Sequence, residues 1–305
     1  MTTLFSSRDR ATADLSRTLA RLAPTDLSLV IEGETGTGKS FVATRLHRHG
    51  RRGRPLAVVD CGAIPATLFA SELFGHRAGA FTDATRPREG WCAHAGAGTL
   101  VLDRVDLLPL EVQATLLRVV EERRFFPVGA ATARAFRARV VALADQGLRE
   151  KVGAGTFRAD LYHRLAGFHA VLPPLRNRPQ DILPFARAAL RRLGRAAGRA
   201  LALDPAAERL LLAYPWLGNF RELHAVLTRA ALEATDCTVG VVTLALPGDS
   251  WPALAELAGT RHLPLAEVDR LYALFVLAAH KGNVTQAARV LGVSRRTLIR
   301  WRRQP

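Results

Sequence analysis

The chain has 305 residues, of which 49% are hydrophobic and 7% are aromatic. This length exceeds the usual size of a single hydrophobic core, so we expect two domains, and the apolar fraction excludes a disordered chain. The formal net charge of +16 is carried almost wholly by arginine; because a positive field attracts polyanions, nucleic acid is a candidate partner.

The sequence carries no signal for export or for a membrane anchor. Charged residues interrupt every apolar run near the N-terminus, and no later run reaches the roughly 20 apolar residues that a membrane span needs. Three scattered cysteines, Cys61, Cys92 and Cys237, form no C-x-x-C pair, so we expect neither a disulfide framework nor a zinc site. We therefore expect a cytoplasmic protein with reduced thiols and no membrane partner.

Short apolar runs rich in β-branched residues alternate with helical patterns through the first half of the chain. They predict strands at Leu27–Glu32, Leu56–Asp60, Thr99–Asp103, Arg139–Ala144 and Phe168–Leu172. Strands separated by helix-length segments predict a parallel α/β sheet with helices on both faces, which we assign to residues 1–172.

The strand signal ends after Pro173. Helical stretches at Gln180–Leu193, Pro205–Leu212 and Asn219–Ala234 predict a helical lid over residues 173–238. Residues 239–262 mix glycine, proline and small residues without a period, which is typical of a linker. Helical periodicity returns over residues 263–305 and predicts a small all-α domain.

A phosphate-binding motif follows the first predicted strand. It reads Gly33-Glu34-Thr35-Gly36-Thr37-Gly38-Lys39-Ser40 and matches G-x-x-x-x-G-K-[ST]. The glycines let backbone N–H groups surround phosphates at a helix N-terminus, Lys39 reaches the β and γ phosphates, and the Ser40 hydroxyl ligates magnesium. The motif predicts an α/β P-loop core that binds ATP with Mg²⁺.

Asp103 ends the third predicted strand and supplies the second element of a phosphate site, an acid that holds magnesium through water. P-loop enzymes of this type usually have a glutamate next, which polarises the attacking water. Here the next residue is Arg104, and a guanidinium cannot act as a base at neutral pH. We therefore expect ATP binding with weak or lost hydrolysis; Asp106 and Asp145 are alternative bases.

Longer blocks run through the first three quarters of the chain. They are Ser71–Ala84, Gly98–Asp103, Leu116–Val119, Phe157–Leu165, Leu172–Arg176 and Trp216–Leu223. In this order they resemble the sigma-54-dependent activators, also called bacterial enhancer-binding proteins. The resemblance implies an AAA+ ring, conventionally a hexamer, that uses ATP to remodel sigma-54 RNA polymerase.

The resemblance also implies roles for residues outside the P-loop. Arg158 and Arg164 occupy the positions of two arginines that reach the neighbouring subunit's nucleotide, and Arg221 matches a lid arginine that contacts nucleotide in cis. Phe81, Thr82 and Asp83 lie in the loop with which the family touches the sigma factor. The family has glycine at this last position. Asp83 therefore adds a side chain and a negative charge where the family has neither.

Four further departures from the family cluster around the nucleotide. Asp60 replaces an asparagine, Arg104 replaces the catalytic glutamate, and Ala144-Asp145 replaces a threonine-asparagine sensor pair. We hypothesise that Asp60 and Arg104 form a charge pair in place of the polar switch, because an opposed buried pair is tolerated where an isolated buried charge is costly.

Residues 282–301 resemble the Fis-type helix-turn-helix that ends most such activators. Ala287, Ala288 and Leu291 are spaced to face a core, and Gly292 permits the turn. Ser294 is placed to cap a helix that enters the major groove. The predicted DNA-binding residues are Ser294, Arg295, Arg296, Thr297, Arg300, Arg302 and Arg303.

The sequence thus predicts a transcription regulator of the sigma-54 activator type that binds ATP–Mg²⁺ in a ring and upstream DNA through its C-terminus. About two dozen residues precede the first strand, so we expect no N-terminal regulatory domain. The alternative is a non-hydrolysing repressor or co-regulator that works in mixed rings with an intact paralogue, or without sigma-54.

Overall fold

The computed structural model describes residues 3–82, 84–234, 236–240, 244, 264–280 and 282–303. Asp83 and most of the predicted linker over residues 239–262 lie outside the described residues, as do the side chains of Arg302 and Arg303. The chain divides into two compact units, Met1–Pro173 and Pro174–Pro305.

Seven helices belong to the first unit as described. They are α1 (Arg10–Leu22), α2 (Lys39–Gly50), α3 (Ala66–Phe74), α4 (Trp91–Ala95), α5 (Leu110–Glu122), α6 (Leu148–Gly153) and α7 (Ala159–Leu165). A side-chain cap sets where α1 begins: the Asp9 carboxylate accepts from the backbone N–H of Thr12 at 2.8 Å.

Five strands form the central sheet, and short two-residue strands accompany it. The strands of the first unit are β1 (Leu29–Glu32), β2 (Leu56–Asp60), β3 (Gly75–His76), β4 (Arg88–Glu89), β5 (Thr99–Asp103), β6 (Arg124–Phe125), β7 (Arg134–Ala135), β8 (Arg139–Ala144) and β9 (Phe168–Val171). The central sheet is parallel throughout, in the order β2-β5-β8-β1-β9. The predicted parallel α/β fold is confirmed.

Burial explains why these runs are strands. All six residues of β8 are buried in the middle of the sheet, as expected for a parallel strand covered on both faces. One apolar cluster gathers Val30, Leu102 and Val140 with α3, α5 and α7. Another gathers Ile31 and Val141 with α1 and α2, so helices cover both faces.

The second unit is mainly helical. Its helices are α8 (Ile182–Ala196), α9 (Pro205–Ala213), α10 (Asn219–Glu233), α11 (Leu265–Ala279), α12 (Val284–Leu291) and α13 (Arg295–Arg303). It also contains one parallel strand pair that the sequence pattern did not predict, β10 (Ala202–Leu203) with β11 (Thr238–Val239). Two residues are too few to show a strand period.

The predicted lid and the C-terminal helices share one hydrophobic core. Trp216 of the lid and Leu274 and Leu298 of the C-terminal helices are all fully buried in the same cluster. Helix α11 packs on α9 as well as on α12 and α13. Among the described residues, no helix combines the length and the apolar character needed to cross a bilayer.

Two leucines of α3 provide a matched test of the core of the first unit. Leu73 is fully buried, whereas Leu68 is 47% exposed. Leu73→Ala should lower the free energy of unfolding by about 2–5 kcal/mol, because it removes buried methyl groups and leaves a cavity. Leu68→Ala should change it by less than about 1 kcal/mol. Urea unfolding followed by circular dichroism measures both; equal losses would contradict the assignment of Leu73 to the core.

Candidate functional site

The glycine-rich loop connects β1 to α2. Gly36 and Gly38 have φ angles of +82° and +104°, in the left-handed region that favours glycine. Helix α2 begins at Lys39 with Gly38 as its N-cap. The loop is tied to the sheet because Gly33 N–H donates to the Ala144 carbonyl at 3.3 Å. The backbone N–H groups at this helix N-terminus form a cradle suited to phosphates.

Lys39 lies folded into this loop. Its Nζ donates to the carbonyls of Gly33 at 2.6 Å and of Glu34 at 3.3 Å, and to Asp145 Oδ1 at 2.7 Å. The lysine side chain is only 10% exposed. The sequence predicted Lys39 and Asp145 at the same site, and the structure brings them into an ion pair.

A hydroxyl and a carboxylate converge next to this lysine. Ser40 Oγ donates to Asp103 Oδ2 at 3.2 Å. Asp103 ends β5, beside Asp60 at the end of β2, in the parallel register. A hydroxyl and a carboxylate oxygen are the ligand types that magnesium prefers, so these two residues fit the predicted metal position.

Arg104 contacts Asp60 as hypothesised. Its Nε donates to Asp60 Oδ1 at 2.9 Å, and its Nη2 contacts both carboxylate oxygens. Gly62 leaves room for the pair, since a Cβ there would lie 2.6 Å from Arg104 Cζ. The hydrogen bond from Arg104 to Asp60 raises the pKa of Arg104, so the guanidinium stays charged.

The premise that this pair is buried is wrong for the single chain. The Arg104 and Asp60 side chains are 41% and 48% exposed. Water screens such a pair, and its contribution to stability is small. Its effect on the site is therefore one of position: the Arg104 guanidinium is held beside Asp60 at the end of β2.

The two alternative bases have different surroundings. Asp106 is 5% exposed, and its carboxylate pairs with Lys151 Nζ at 2.7 Å. Its other oxygen accepts from the backbone N–H of Asp145 at 3.4 Å. Asp106 is therefore committed to structure, whereas Asp145 contacts the P-loop lysine directly. Ala144, the other replaced sensor residue, is fully buried at the end of β8.

A buried network behind the P-loop was not predicted from the sequence. Glu32, the last residue of β1, accepts from Gly147 N–H at 2.9 Å and lies 2.9 Å from His169 Nε2. Tyr162 is next in the network: its hydroxyl accepts from Arg149 Nε at 2.9 Å. The only sign of this network in the sequence was that Glu32 is an acid at the end of a buried strand. Its partners Gly147 and His169 are more than a hundred residues away along the chain.

The C-terminal helices have the geometry of a helix-turn-helix. Ala287 and Ala288 are buried in α12, with Leu291 packed beside them, and Gly292 is left-handed at φ +65°. Ser294 caps α13, since its Oγ accepts from Thr297 N–H at 3.0 Å.

The arginines of α13 whose side chains are described, Arg295, Arg296 and Arg300, are all exposed. The positions of Arg302 and Arg303 lie on the same helix.

Family models match the chain in three consecutive segments. The sigma-54 interaction domain matches residues 5–170, which is more than half of the chain. The chain belongs to the sigma-54 interaction domain family. An AAA+ ATPase lid domain matches residues 176–247, and a bacterial regulatory protein of the Fis family matches residues 265–304.

Individual members of the family align with nearly the whole chain. The transcriptional regulatory protein ZraR of Klebsiella oxytoca is 40% identical over 93% of this chain and 65% of its own length. The nitric oxide reductase transcription regulator NorR1 of Cupriavidus necator is 40% identical over 94% of this chain and 60% of its own. The DNA-binding transcriptional regulator NtrC of Escherichia coli is 37% identical over 95% of this chain and 67% of its own length. The chain thus spans about two thirds of the length of these relatives.

Solved structures agree with the family assignment. NtrX from Brucella abortus in complex with ADP superposes with a TM-score of 0.74 and 27% identity, covering 97% of this chain and 68% of that one. The same protein in complex with ATP gives a TM-score of 0.71 and 28% identity, covering 98% and 68%.

The loop that corresponds to the family's sigma contact, residues 79–84, lies between β3 and β4, which pair as a hairpin. Gly79 N–H donates to the Ala84 carbonyl at 2.7 Å and closes its base. The Phe81 ring lies 4.9 Å from the ring of His76 and remains 39% exposed, and Thr82 is exposed. Contact with sigma factor through Phe81, Thr82 and Asp83 stays a prediction.

Three arginines match family positions that contact nucleotide. Arg158 is the N-cap of α7 and Arg164 lies within that helix; both are exposed. The Arg158 guanidinium pairs with Asp160 at 2.7 Å and holds the pKa of that carboxyl below its usual value. Arg221 is exposed in the first turn of α10, in the second unit. Their roles toward nucleotide stay predictions.

The Asp60–Arg104 pair in this sigma-54 interaction domain can be tested by reversal. The double change Asp60→Asn with Arg104→Glu restores the family residues and supplies a carboxylate where the guanidinium now lies. We expect ATP turnover to rise about 100-fold, because a positioned general base contributes roughly that factor. Phosphate release at saturating ATP measures it.

A matched control changes the same residue types elsewhere. Asp14 and Arg17 form an exposed ion pair in α1, so Asp14→Asn with Arg17→Glu makes the same chemical change away from the P-loop. If both double variants turn over ATP at the wild-type rate, the pair does not replace the switch.

Proposed function

We propose that this chain is a DNA-binding transcription regulator of the sigma-54 activator type. It binds ATP with Mg²⁺ at the P-loop and upstream DNA through α13. The observation that carries the proposal is the convergence of Lys39, Ser40 and Asp103 at the mouth of the glycine loop, in a chain that ends in an exposed arginine helix. The solved NtrX complexes with ADP and ATP support nucleotide as the ligand.

The chemistry of the site fits a magnesium nucleotide. Ser40 and Asp103 would hold the metal, which supplies positive charge to the phosphate oxygens. Lys39 would add a second positive charge, and the N-terminus of α2 would add backbone donors. The family's use of neighbouring arginines supports assembly of several copies as a ring, in which Arg158 and Arg164 would face the next subunit's nucleotide and Arg221 its own.

DNA is the proposed partner of the C-terminal helices. Exposed Arg295 and Arg296 open α13 just after the Ser294 cap, where a recognition helix reaches bases and phosphates. Arg300, Arg302 and Arg303 follow on the same helix and would contact phosphate. Residues 270–305 contain no Asp or Glu, so no acidic side chain of this segment opposes the contact.

One observation favours a second candidate, a non-hydrolysing repressor or co-regulator. The Arg104 guanidinium is held beside Asp60, and the family resemblance implies a catalytic glutamate at this sequence position. A chain that binds ATP without turnover would act through mixed rings with an intact paralogue, or at promoters that do not use sigma-54.

ATP turnover by the purified protein separates the two candidates. An active ring should hydrolyse ATP with a specific activity that rises with protein concentration, because the nucleotide of one subunit would then need the arginines of the next. Measured binding of ATP without turnover at any concentration would favour the co-regulator. Lys39→Ala serves as the control: it should abolish nucleotide binding in either case, and unchanged binding would contradict the P-loop assignment.

The DNA proposal predicts a change in salt dependence. The double variant Arg295→Ala with Arg296→Ala should lower affinity for a mixed-sequence DNA duplex at least ten-fold. It should also reduce the slope of log affinity against log salt by about 1 per lost phosphate contact. Fluorescence anisotropy over a salt series measures both quantities.

Two arginines of the lid provide the control. Arg191 and Arg195 are exposed on α8, and their double change to alanine removes the same charge from the protein. An equal loss of affinity in both double variants would mean that net charge, and not the helix α13, governs the binding.

A further inference from the structure

The ammonium group of Lys39 has no hydrogen left for a phosphate in this structure. An ammonium has three N–H donors, and three acceptors surround it: the carbonyls of Gly33 and Glu34 and the carboxylate of Asp145. A phosphate oxygen can bind Lys39 only by displacing one of them. The two carbonyls belong to the loop itself, so the exchangeable acceptor is the Asp145 side chain, which is 46% exposed.

Asp145 also supplies the negative charge that a phosphate would bring. Its carboxylate lies 2.7 Å from Nζ of a lysine that is only 10% exposed. A charge pair in such partly desolvated surroundings interacts more strongly than one in bulk water. The Asp145 carboxylate therefore neutralises the positive charge of Lys39, and the phosphates of a nucleotide must compete with this carboxylate for the lysine.

The backbone keeps Asp145 next to the loop when its side chain turns away. Ala144 accepts from Gly33 N–H at 3.3 Å, and Asp145 N–H donates to the buried Asp106 carboxylate at 3.4 Å. Asp106 is in turn fixed by Lys151. A displaced Asp145 carboxylate can rotate but cannot leave, so it stays close to whatever phosphate Lys39 binds.

We propose that Asp145 makes this site select nucleoside diphosphate over nucleoside triphosphate. The inference rests on the proposed nucleotide-binding function of the P-loop. The β and γ phosphates are those that the P-loop lysine reaches, and a terminal γ phosphate adds negative charge beside a carboxylate that is anchored there. Like charges placed close together repel, whereas a diphosphate has no γ phosphate and so brings less negative charge to the same position.

Nucleotide affinities of the whole 305-residue chain test the proposal. ADP and the non-hydrolysable β,γ-imido analogue of ATP are titrated in the presence of Mg²⁺ by calorimetry. The wild-type protein should bind ADP at least ten-fold more tightly than the analogue. Asp145→Asn keeps the side-chain shape and removes the charge, so it should reduce this ratio at least five-fold, mainly by tightening the analogue.

Glu150→Gln is the matched control, because Glu150 is an exposed carboxylate five residues away on α6. Its ratio of affinities should equal that of wild type. Asp145→Ala gives a second variant without the carboxylate, and thermal unfolding verifies that each protein is folded. The ratio of ADP affinity to analogue affinity is informative because a general loss of structure would weaken the binding of both ligands together.

The outcomes separate this inference from the function on which it rests. If all proteins bind both nucleotides with the same ratio, Asp145 does not select between them, and the proposal is overturned while the P-loop function stands. If folded wild-type and variant proteins bind neither nucleotide, the proposed function fails, and the selection fails with it.

Discussion

The parallel direction of β1, β2, β5 and β8 is the constraint on which the candidate site depends. Parallel strands bring their carboxyl ends to one edge of the sheet, and ligands of open α/β sheets bind at that edge. Here the edge collects the P-loop after β1, Asp60 after β2, Asp103 at the end of β5 and Asp145 after β8. Residues spread over more than a hundred positions of sequence therefore meet within hydrogen-bond distance, and each strand contributes one charged group.

Charge compensation is the common feature of this edge. Lys39 is paired with Asp145, Arg104 with Asp60, and Lys151 with Asp106. Such pairs differ in their consequence because their exposure differs. The Lys151–Asp106 pair fixes a buried carboxylate and supports the backbone of Asp145. The exposed Arg104–Asp60 pair adds little stability and instead holds the Arg104 guanidinium beside the end of β2. At this edge, each of these three cations is therefore paired with a carboxylate of the same chain.

The second unit joins two sequence families in one core. The lid and Fis-type matches are separated by residues 248–264, yet Trp216, Leu274 and Leu298 are buried in the same apolar cluster. The apolar face of α11 packs on the lid helix α9 and on the two helices of the helix-turn-helix. Burial of that face gives the exposed arginines of α13 a rigid support, since a short basic helix alone is marginal in water.

The sequence by itself determined the parallel α/β core, the P-loop, the helix-turn-helix and the family, because each rests on a local pattern: a buried β-branched run, glycines at fixed spacing, or a capped helix after a glycine turn. It also named Asp60, Arg104 and Asp145 as departures near the nucleotide. The pairing of Asp60 with Arg104 was also predicted from the sequence, but only the tertiary structure decided the partners of Lys39 and Glu32. The partner of Lys39 is 106 residues away and that of Glu32 is 137 residues away, and no periodicity encodes a contact of that separation. The sequence argument took the Arg104–Asp60 pair to be buried, and its exposure likewise became known only from the structure, because solvent exposure depends on how the whole chain packs around the sheet edge.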